Sequence, residues 1–343
     1  MLNNYNITAL KFQRQYFFDK ADTEQYDQMF RDMSPVPTLY WTAPGAPPVI
    51  SFRANFDDYS HNYKRRENRE IIKGRFRNGS VGYVEADELE LFIGLYKKDI
   101  PKLSAVQLSI LDLLEHEGPM TIQYIKEVTK MLVKEITPIL HKLQEAFLVY
   151  EEQIDNEGDR AWYIFESEFE NLNLDKYTRN EALKICIGRF AKLNVLIDEN
   201  MIKSFFRLPV KDIKTAVNEL TESGELVNFD SGYMLQADME LLNTNDFTMP
   251  ESVFVMHRSD YWVRSNEHIL TQKYKHAEFD LLYYILVDGE FRGAVFGKFT
   301  FGPFIIEEVV TDIPERRDDI IEAIYTVFDR EQSPIKKYTD IIQ

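Results

Sequence analysis

The sequence predicts a mainly α protein with α+β parts. Two tandem winged-helix (helix-turn-helix) segments lead into a small curled antiparallel sheet with flanking helices. Three observations carry that prediction. The order helix, helix, helix, hairpin can be read over Ser104–Phe165, and it recurs about 75 residues later. Beyond residue 250, runs rich in β-branched and aromatic residues are punctuated by glycines and turn dipeptides.

Along the chain, the Pro-rich stretch Ser34–Ala54 breaks helix and is predicted to be a long surface connection. Arg69–Phe76 fits a helix or an extended segment, Asn78-Gly79 makes a turn, and Val84–Leu95 resumes helical spacing. In the first triplet, Val106, Ile110, Leu111 and Leu114 share a helical face that Gly118-Pro119 ends. Thr121–Thr129 is a short second helix, and Val133–Phe147 a third with Ile136, Ile139, Leu140, Leu143 and Phe147 inward. Leu148–Ile154 and Ala161–Phe165 pair around Asn156-Glu157-Gly158-Asp159. In the second triplet the helices are Asn180–Leu193, Asp198–Arg207 and, after Pro209, Val210–Glu222. Gly224 suits a left-handed C′ position, and Glu225–Asn228 pairs with Tyr233–Leu235. The last region reads as strand Ser252–Met256, helix Ser265–Tyr274 and strand Phe279–Val287, an Asp288-Gly289 turn, strands Phe291–Phe299 and Phe304–Val310, and a closing helix Asp318–Phe328. The expected division is therefore 1–103, a divergent helical or winged-helix-like region; 104–178 and 179–250, two winged helices; and 251–343, an α+β barrel-like domain.

Composition narrows the function classes. The 343 residues carry 40 Lys+Arg against 57 Asp+Glu, a formal charge of −17, and one cysteine. A lone Cys186 excludes a disulfide framework and any Cys-based metal cluster within one chain, and its apolar neighbours Leu183, Ile185 and Ile187 suggest a buried thiol. No apolar run is long enough to span a membrane and no signal peptide opens the chain, so a soluble, cytoplasmic protein without a membrane partner is expected. The charge is uneven: 1–103 is near neutral at +1, 104–178 is −9, 179–250 is −3 and 251–343 is −6. Within the first region Tyr63–Arg77 holds seven basic and two acidic residues, a local +5 on an acidic protein. Such a run is either a solvated helix face or a nucleic-acid contact.

The tandem triplets, Pro37–Trp41, Lys73-Gly74-Arg75, the loop His257-Arg258-Ser259-Asp260-Tyr261-Trp262-Val263-Arg264 and the hairpin Val287–Val295 together resemble the AlkZ/YcaQ-like winged-helix family. Its members include DNA glycosylases that remove alkylated or cross-linked bases. The resemblance spans roughly residues 35–313 and implies a duplex-DNA partner. Family glycosylases carry a Gln-apolar-Gln or Gln-apolar-Asp motif after an initial helical hairpin, where it positions or activates the attacking water. Here the literal counterpart is Gln13-Arg14-Gln15, with Arg in the middle and only 12 residues before it, and an exposed side of a helix or turn is the expected setting. Gln13 and Gln15 are the candidate catalytic pair; the sequence otherwise reads as a relative that lacks it. Asp260 and Arg264 fall in the places of the family's Asp-Pro-Leu-x-x-x-Arg-like loop, with Tyr261 where Pro is usual. They form either a ligand site, with Arg258, His257 and Trp262, or an ion pair that holds the loop.

The candidate DNA contacts are Lys64, Arg65, Arg66, Arg69, Lys73 and Arg75, then Arg258, Asp260 and Arg264, and finally Arg292 and Lys298 on the hairpin, whose tip could probe a minor groove. The third helices are weak major-groove readers: Lys134, His141 and Lys142 sit with Glu135 and Glu145, Lys211 and Lys214 with Asp212, Glu219 and Glu222, and the wing Asp155–Asp159 is acidic. No HExxH, P-loop, GxGxxG or GxSxG occurs, so no metal and no cofactor is expected. The expected function is DNA binding related to base excision, with glycosylase activity an open question. The alternative is a non-catalytic regulatory or protein-interaction module with a protein partner, and monomer and homodimer are both compatible with it. DNA binding predicts that Lys64, Arg66, Arg69, Arg75, Arg292 and Lys298 converge on one face; scatter would count against it.

Overall fold

Caps and left-handed turn residues set most element ends. Helix α1 (Asn4–Arg14) is followed by α2 (Thr23–Met33), whose capping box joins Asp22 to the Gln25 N–H and the Gln25 side chain to the Asp22 N–H. Asp57 caps α3 (Asp58–Glu67). Strands β1 (Ile71–Phe76) and β2 (Ser80–Glu85) then form an antiparallel hairpin, and Arg77, Asn78 and Gly79 turn it with φ of 40°, 66° and 85°. The apolar α4 (Leu89–Tyr96) is buried along most of its length.

A computed structural model describes residues 4–38, 46–50, 52–153, 160–299 and 302–341. The chain divides into two compact units. One, the central unit, is Lys20–Phe190 with Phe206–Ser223; the other, the C-terminal unit, is Met1–Asp19, Ala191–Phe205 and Gly224–Gln343.

In the central unit, α5 (Ala105–Glu117), β3 (Met120–Thr121), α6 (Ile122–Thr129), α7 (Val133–Glu145), β4 (Val149–Gln153) and β5 (Arg160–Ile164) surround Ile110, Leu114, Ile125, Ile136, Leu140, Leu143 and Trp162. Their sheet has the order β3-β5-β4. The short α8 (Phe165–Glu168) follows, then most of α9 (Arg179–Asn194) and, after α10 (Glu199–Phe206), which belongs to the C-terminal unit up to Phe205, α11 (Val210–Glu222). Within this unit Glu219 of α11 accepts from Asn180 and Lys184 of α9, at 2.9 and 2.8 Å.

In the C-terminal unit, β6 (Leu226–Phe229) and β7 (Gly232–Leu235) form a hairpin before α12 (Gln236–Thr244). Strand β8 (Val253–His257), α13 (Tyr261–Lys273), β9 (Asp280–Val287), β10 (Glu290–Lys298), β11 (Ile305–Thr311), α14 (Arg317–Val327) and β12 (Tyr338–Asp340) complete it. The sheet order is β12-β11-β10-β9-β8. Bulges at Phe291/Gly293, Val295/Phe296 and Phe296/Gly297 bend β10. A Cβ on Gly297 would overlap the Ile305 carbonyl, so only glycine lets β11 approach there. Val255, Leu282, Ile285, Val295, Ile306 and Val309 pack beneath Ile320 and Ile324 of α14.

The mixed α and β character is as the sequence predicts, and the elements of both triplets lie close to their expected bounds. Of the two forms open to Arg69–Phe76 the extended one is taken, as strand from Ile71. Three details differ. The α-helix expected from Val84 begins only at Leu89, after a 3-10 turn at Ala86–Glu88, because Val84 and Glu85 pair back with Ile72 and Ile71. The Pro-rich segment is not a loose surface connection: Val36, Ala46 and Ile50 are buried, and Val36 exchanges two backbone hydrogen bonds with Tyr83. The C-terminal sheet is not wholly antiparallel, since the short β12 runs parallel to β11. Part of the Pro37–Trp41 stretch and all of the Asp155–Asp159 turn lie outside the described residues.

Candidate functional site

The basic segment is built from the end of α3 and from β1. Lys64 is exposed, and the Arg66 guanidinium lies 4.9 Å from the Tyr63 ring centre. Arg65 is turned inward: its Nη2 donates to both oxygens of the buried Glu85 at 2.6 Å, and its Nη1 lies 3.0 Å from Asp27. Arg69 donates to Glu168 at 2.6 Å and to Glu152 at 3.0 Å. Much of the local +5 is therefore met by carboxylates far along the chain, which no local charge count shows.

Strand alternation puts Lys73 and Arg75 on one face of β1, and that face meets α7 and β4. Lys73 Nζ donates to Glu151 at 2.8 Å, and Arg160 Nη1 donates to the same oxygen at 2.7 Å. Arg75 donates to the Gln144 side chain at 2.9 Å and to the Gly79 carbonyl at 3.0 Å, and its Nη2 lies 2.7 Å from His141 Nε2. The Glu151 side chain has no exposed surface. Burial pushes its carboxyl up, but Lys73 and Arg160 outweigh burial and hold it below the usual carboxylate range. Burial, with the neighbouring cations, pushes the Lys73 amine and the Arg75 guanidinium down. Burial and Arg75 lower His141 as well, keeping it neutral as an acceptor.

The loop after β8 is tied to the fold. Asp260 caps α13, accepting from the Trp262 N–H at 2.8 Å. Arg264, 5% exposed, lies over the Phe205 ring at 4.6 Å. Arg258 is exposed, 5.6 Å from the Phe299 ring centre. His257 accepts from the Ser259 N–H, and burial followed by Arg258 lowers its pKa to about 4. The hairpin tip is packed rather than free: a Cβ on Gly289 would overlap Thr8 of α1 and come within 3.2 Å of Phe12. Arg292 donates to Asp312 at 2.7 Å and Glu290 at 3.0 Å, while Lys298 is exposed, 3.8 Å from Glu307. Of the six cations expected on one face, Lys64, Arg66, Arg69 and Arg75 belong to the central unit and Arg292 and Lys298 to the C-terminal unit. Arg69, Arg75 and Arg292 are engaged by acceptors of the chain itself.

Gln13 and Gln15 do not share an exposed side. Gln13 faces solvent, whereas Gln15 is fully buried and its amide donates to the Leu193 carbonyl at 3.0 Å. Arg14 between them is paired with the buried Asp238. The C-terminal unit also holds a cleft of about 360 Å³ lined by Lys11, Met201, Trp262, Asn266, Lys273 and Phe291 among others. Lys11 Nζ lies 4.0 Å from the Trp262 ring centre.

Cys186 is buried, which pushes its thiol up to about 12. Among the described residues no three His, Cys, Asp or Glu are grouped to hold a metal ion, and no helix is long and apolar enough to cross a membrane. On the third helices Lys134, Lys142, Lys211 and Lys214 are exposed, but His141 is turned onto Arg75. Sequence reasoning missed Glu151 and Arg160. One carboxylate among 57 acidic residues and one Arg in an acidic stretch give no local signal; their strand register across β4 and β5 does.

No family model matches the chain, and no curated protein matches it in sequence. In structure it is similar to the Streptomyces sahachiroi DNA glycosylase AlkZ, with a TM-score of 0.66 and 11% identity over 98% of this chain and 99% of that one. The chain has the AlkZ fold. At that identity the likeness to AlkZ is one of backbone arrangement, and it agrees with the resemblance drawn from the element order and the two C-terminal motifs. It gives no side-chain role in either unit, and what each residue does rests on its own surroundings.

Proposed function

We propose that the protein binds duplex DNA on this AlkZ-like scaffold, with 104–178 and 179–250 acting as two winged helices between the flanking regions 1–103 and 251–343. The observation that carries the reading is the match in fold to a DNA glycosylase along almost the whole of both chains. Lys64, Arg66, Arg258 and Lys298 keep their cationic groups at or near the surface and are the contacts we assign first. We do not assign base excision to Gln13 and Gln15. The Gln15 amide is spent on Leu193 and Gln13 faces away from it, so the two do not address one water.

The test is retention of a duplex containing a 7-alkylated purine across a salt series, with abasic sites counted in parallel. We expect retention at low salt that falls steeply as salt rises, without abasic sites. Absence of retention at low salt would overturn DNA binding. Base release by the wild type would overturn the non-excising assignment while leaving binding in place, and its loss in Gln13→Ala or Gln15→Ala would return the chemistry to that pair. A second reading, protein interaction, draws on exposed apolar residues in one segment of the central unit: Leu108, Tyr124, Val128 and Leu132 are 46–53% exposed. It becomes the reading of choice if DNA is not retained.

A further inference from the structure

The cleft of the C-terminal unit takes no part in the DNA contacts proposed above. Its walls come from that unit alone: α1, the stretch 194–201, one face of α13 and the β9–β10 turn. On α13 the lining positions are 262, 266, 269, 270 and 273, which is the spacing of a single helical face. The first and last lie three turns apart, about 16 Å at the rise of an α-helix. A volume of about 360 Å³ spread over that length makes a slender groove, at the low end of the range for sites that take a small organic molecule.

The walls are set before any ligand arrives. The Trp262 ring packs against Phe12 and Phe17, with ring centres 4.9 and 5.3 Å away. The Phe291 carbonyl accepts from Lys273 Nζ at 2.9 Å and from the Tyr274 hydroxyl at 2.8 Å, which ties the start of β10 to the end of α13. Gly289 is pressed against Thr8. Walls held in this way need little ordering when a ligand binds.

Their chemistry is apolar, with one open acceptor set among hydrocarbon. Trp262 and Phe291 supply rings, and Ile7 and Leu270 supply aliphatic surface. Ile269, also on the wall, is 52% exposed, a large apolar side chain that the fold itself leaves uncovered. Lys273 is engaged by the Phe291 carbonyl and Asp312, and Lys11 lies against the Trp262 ring, so the walls do not call for an anion. Asn266 sits one turn beyond Trp262. Its Nδ2 donates to the Trp262 carbonyl at 2.8 Å, and its Oδ1 accepts from no group among the described residues. A hydrocarbon chain laid along the groove would cut that oxygen off from water and leave it unpaired. A flat ring carrying an N–H meets both demands: its faces suit the apolar walls, and its edge donates to Oδ1.

We propose that this groove binds a small planar heteroaromatic molecule whose ring N–H donates to Asn266 Oδ1. The proposal stands apart from the DNA reading, and retention or loss of duplex leaves it unchanged.

Isothermal titration of the full chain with indole tests it, beside 1-methylindole, which keeps the ring without the donor, and decanoate, which offers a chain. Saturable binding of indole is expected, about tenfold tighter than that of 1-methylindole. Asn266→Leu keeps the bulk of the side chain and removes the oxygen, so the two indoles should bind it alike. Ile269→Glu places a charge on the rim at an exposed position and should weaken indole several-fold. Equal binding of the two indoles by the wild type, or a preference that persists in Asn266→Leu, would overturn the proposal. So would tighter binding of decanoate than of indole, or no saturable binding at all. The melting temperature of each variant without ligand separates loss of the site from loss of the fold.

Discussion

The hairpins β1–β2 and β9–β10 are built alike and used differently. Each turns through left-handed residues ending in glycine, Asn78-Gly79 in one and Asp288-Gly289 in the other. Each carries cations that its sequence offers to a nucleic acid. Arg69, just before β1, and Lys73 on it reach carboxylates on β4 and α8, so the hairpin is bound to distant parts of the central unit by charge. On β10, Arg292 is paired at the margin of its own sheet with Asp312, just past β11, and it is the turn that docks, with Gly289 against Thr8 and Phe12 of α1. One hairpin is held by its side chains and the other by its tip. The turn chemistry is local and readable; the destination of a charged side chain is not.

The largest test of that contrast removes the counter-charge from each. Glu151→Gln leaves three cations around a neutral group with no exposed surface, and should destabilise the central unit by about 3–5 kcal/mol. Asp312→Asn removes the partner of Arg292 and Lys273, whose side chains are 31% and 39% exposed and can turn to water, so a loss of about 1 kcal/mol is expected. Urea unfolding of both variants measures the difference. Equal losses would break the distinction between a charge-bound and a tip-bound hairpin.

The reverse asymmetry is expected at the turns. Gly289→Ala adds left-handed strain to an overlap with Thr8 and a tight contact with Phe12, together about 2–4 kcal/mol. Gly79→Ala carries the same strain, but its methyl meets only the end of the flexible Glu145 side chain, so about 1 kcal/mol is lost. Thermal denaturation of the pair sharpens the comparison, and a larger loss at Gly79 would refute it.

Acid should also separate the two regions. Beside β9, His257 packs against Tyr283 with ring centres 5.3 Å apart and has its pKa lowered to about 4 from an unfolded value near 6.5. Between those values the unfolded chain binds the proton and the folded chain does not, so this contribution is complete above pH 6.5 and is lost as pH falls toward 4. At pH 4.5 the loss attributable to His257 is about 2 kcal/mol. His141, beside β1, is shifted in the same direction but is only half-buried, and its loss should be smaller. Stability is measured from pH 7 to 4.5 in wild type, His257→Phe and His141→Phe. A flattened profile in His257→Phe is the expected outcome, and a profile unchanged from wild type would remove His257 as its source.

What was legible follows from how local each signal is. Apolar spacing and the breakers Gly118-Pro119 and Pro209 made both triplets legible, Gly224 takes the left-handed φ of 79° expected of it, and Ser104 and Asp198 fix helix starts through bonds made within three residues. The β1–β2 hairpin was half hidden, because Val84 and Glu85 belong to a helical-looking run and are claimed by Ile72 and Ile71 only through pairing. The three-residue β12 was invisible, being too short for a pattern and dependent on β11 for its partners. At the site, Lys73 and Arg75 could be named as cations, but Glu151, which decides their behaviour, lies about 75 residues further on. Gln13 and Gln15 two residues apart suggested one shared side; burial of α1 put the second of them inside.

The smallest expected effect concerns the helices behind the two hairpins. Asp57 caps α3 from an open position, accepting from the Ser60 N–H at 3.2 Å. Asp260 caps α13 while only 7% exposed, accepting from the Trp262 N–H at 2.8 Å. Asp260→Ala should lose about 1 kcal/mol, because the N–H it leaves behind is buried. Asp57→Ala should lose less, since water can take over its N–H. Asp260→Asn keeps an oxygen at the cap and should recover most of the stability. It also separates the two roles open to this residue. If Asp260 serves the loop only as a cap, Asp260→Asn binds duplex DNA as wild type does; if its charge is used at a DNA interface, binding changes while stability is retained. We expect the first result, because Asp260 is only 7% exposed and its side-chain oxygen accepts from the Trp262 N–H.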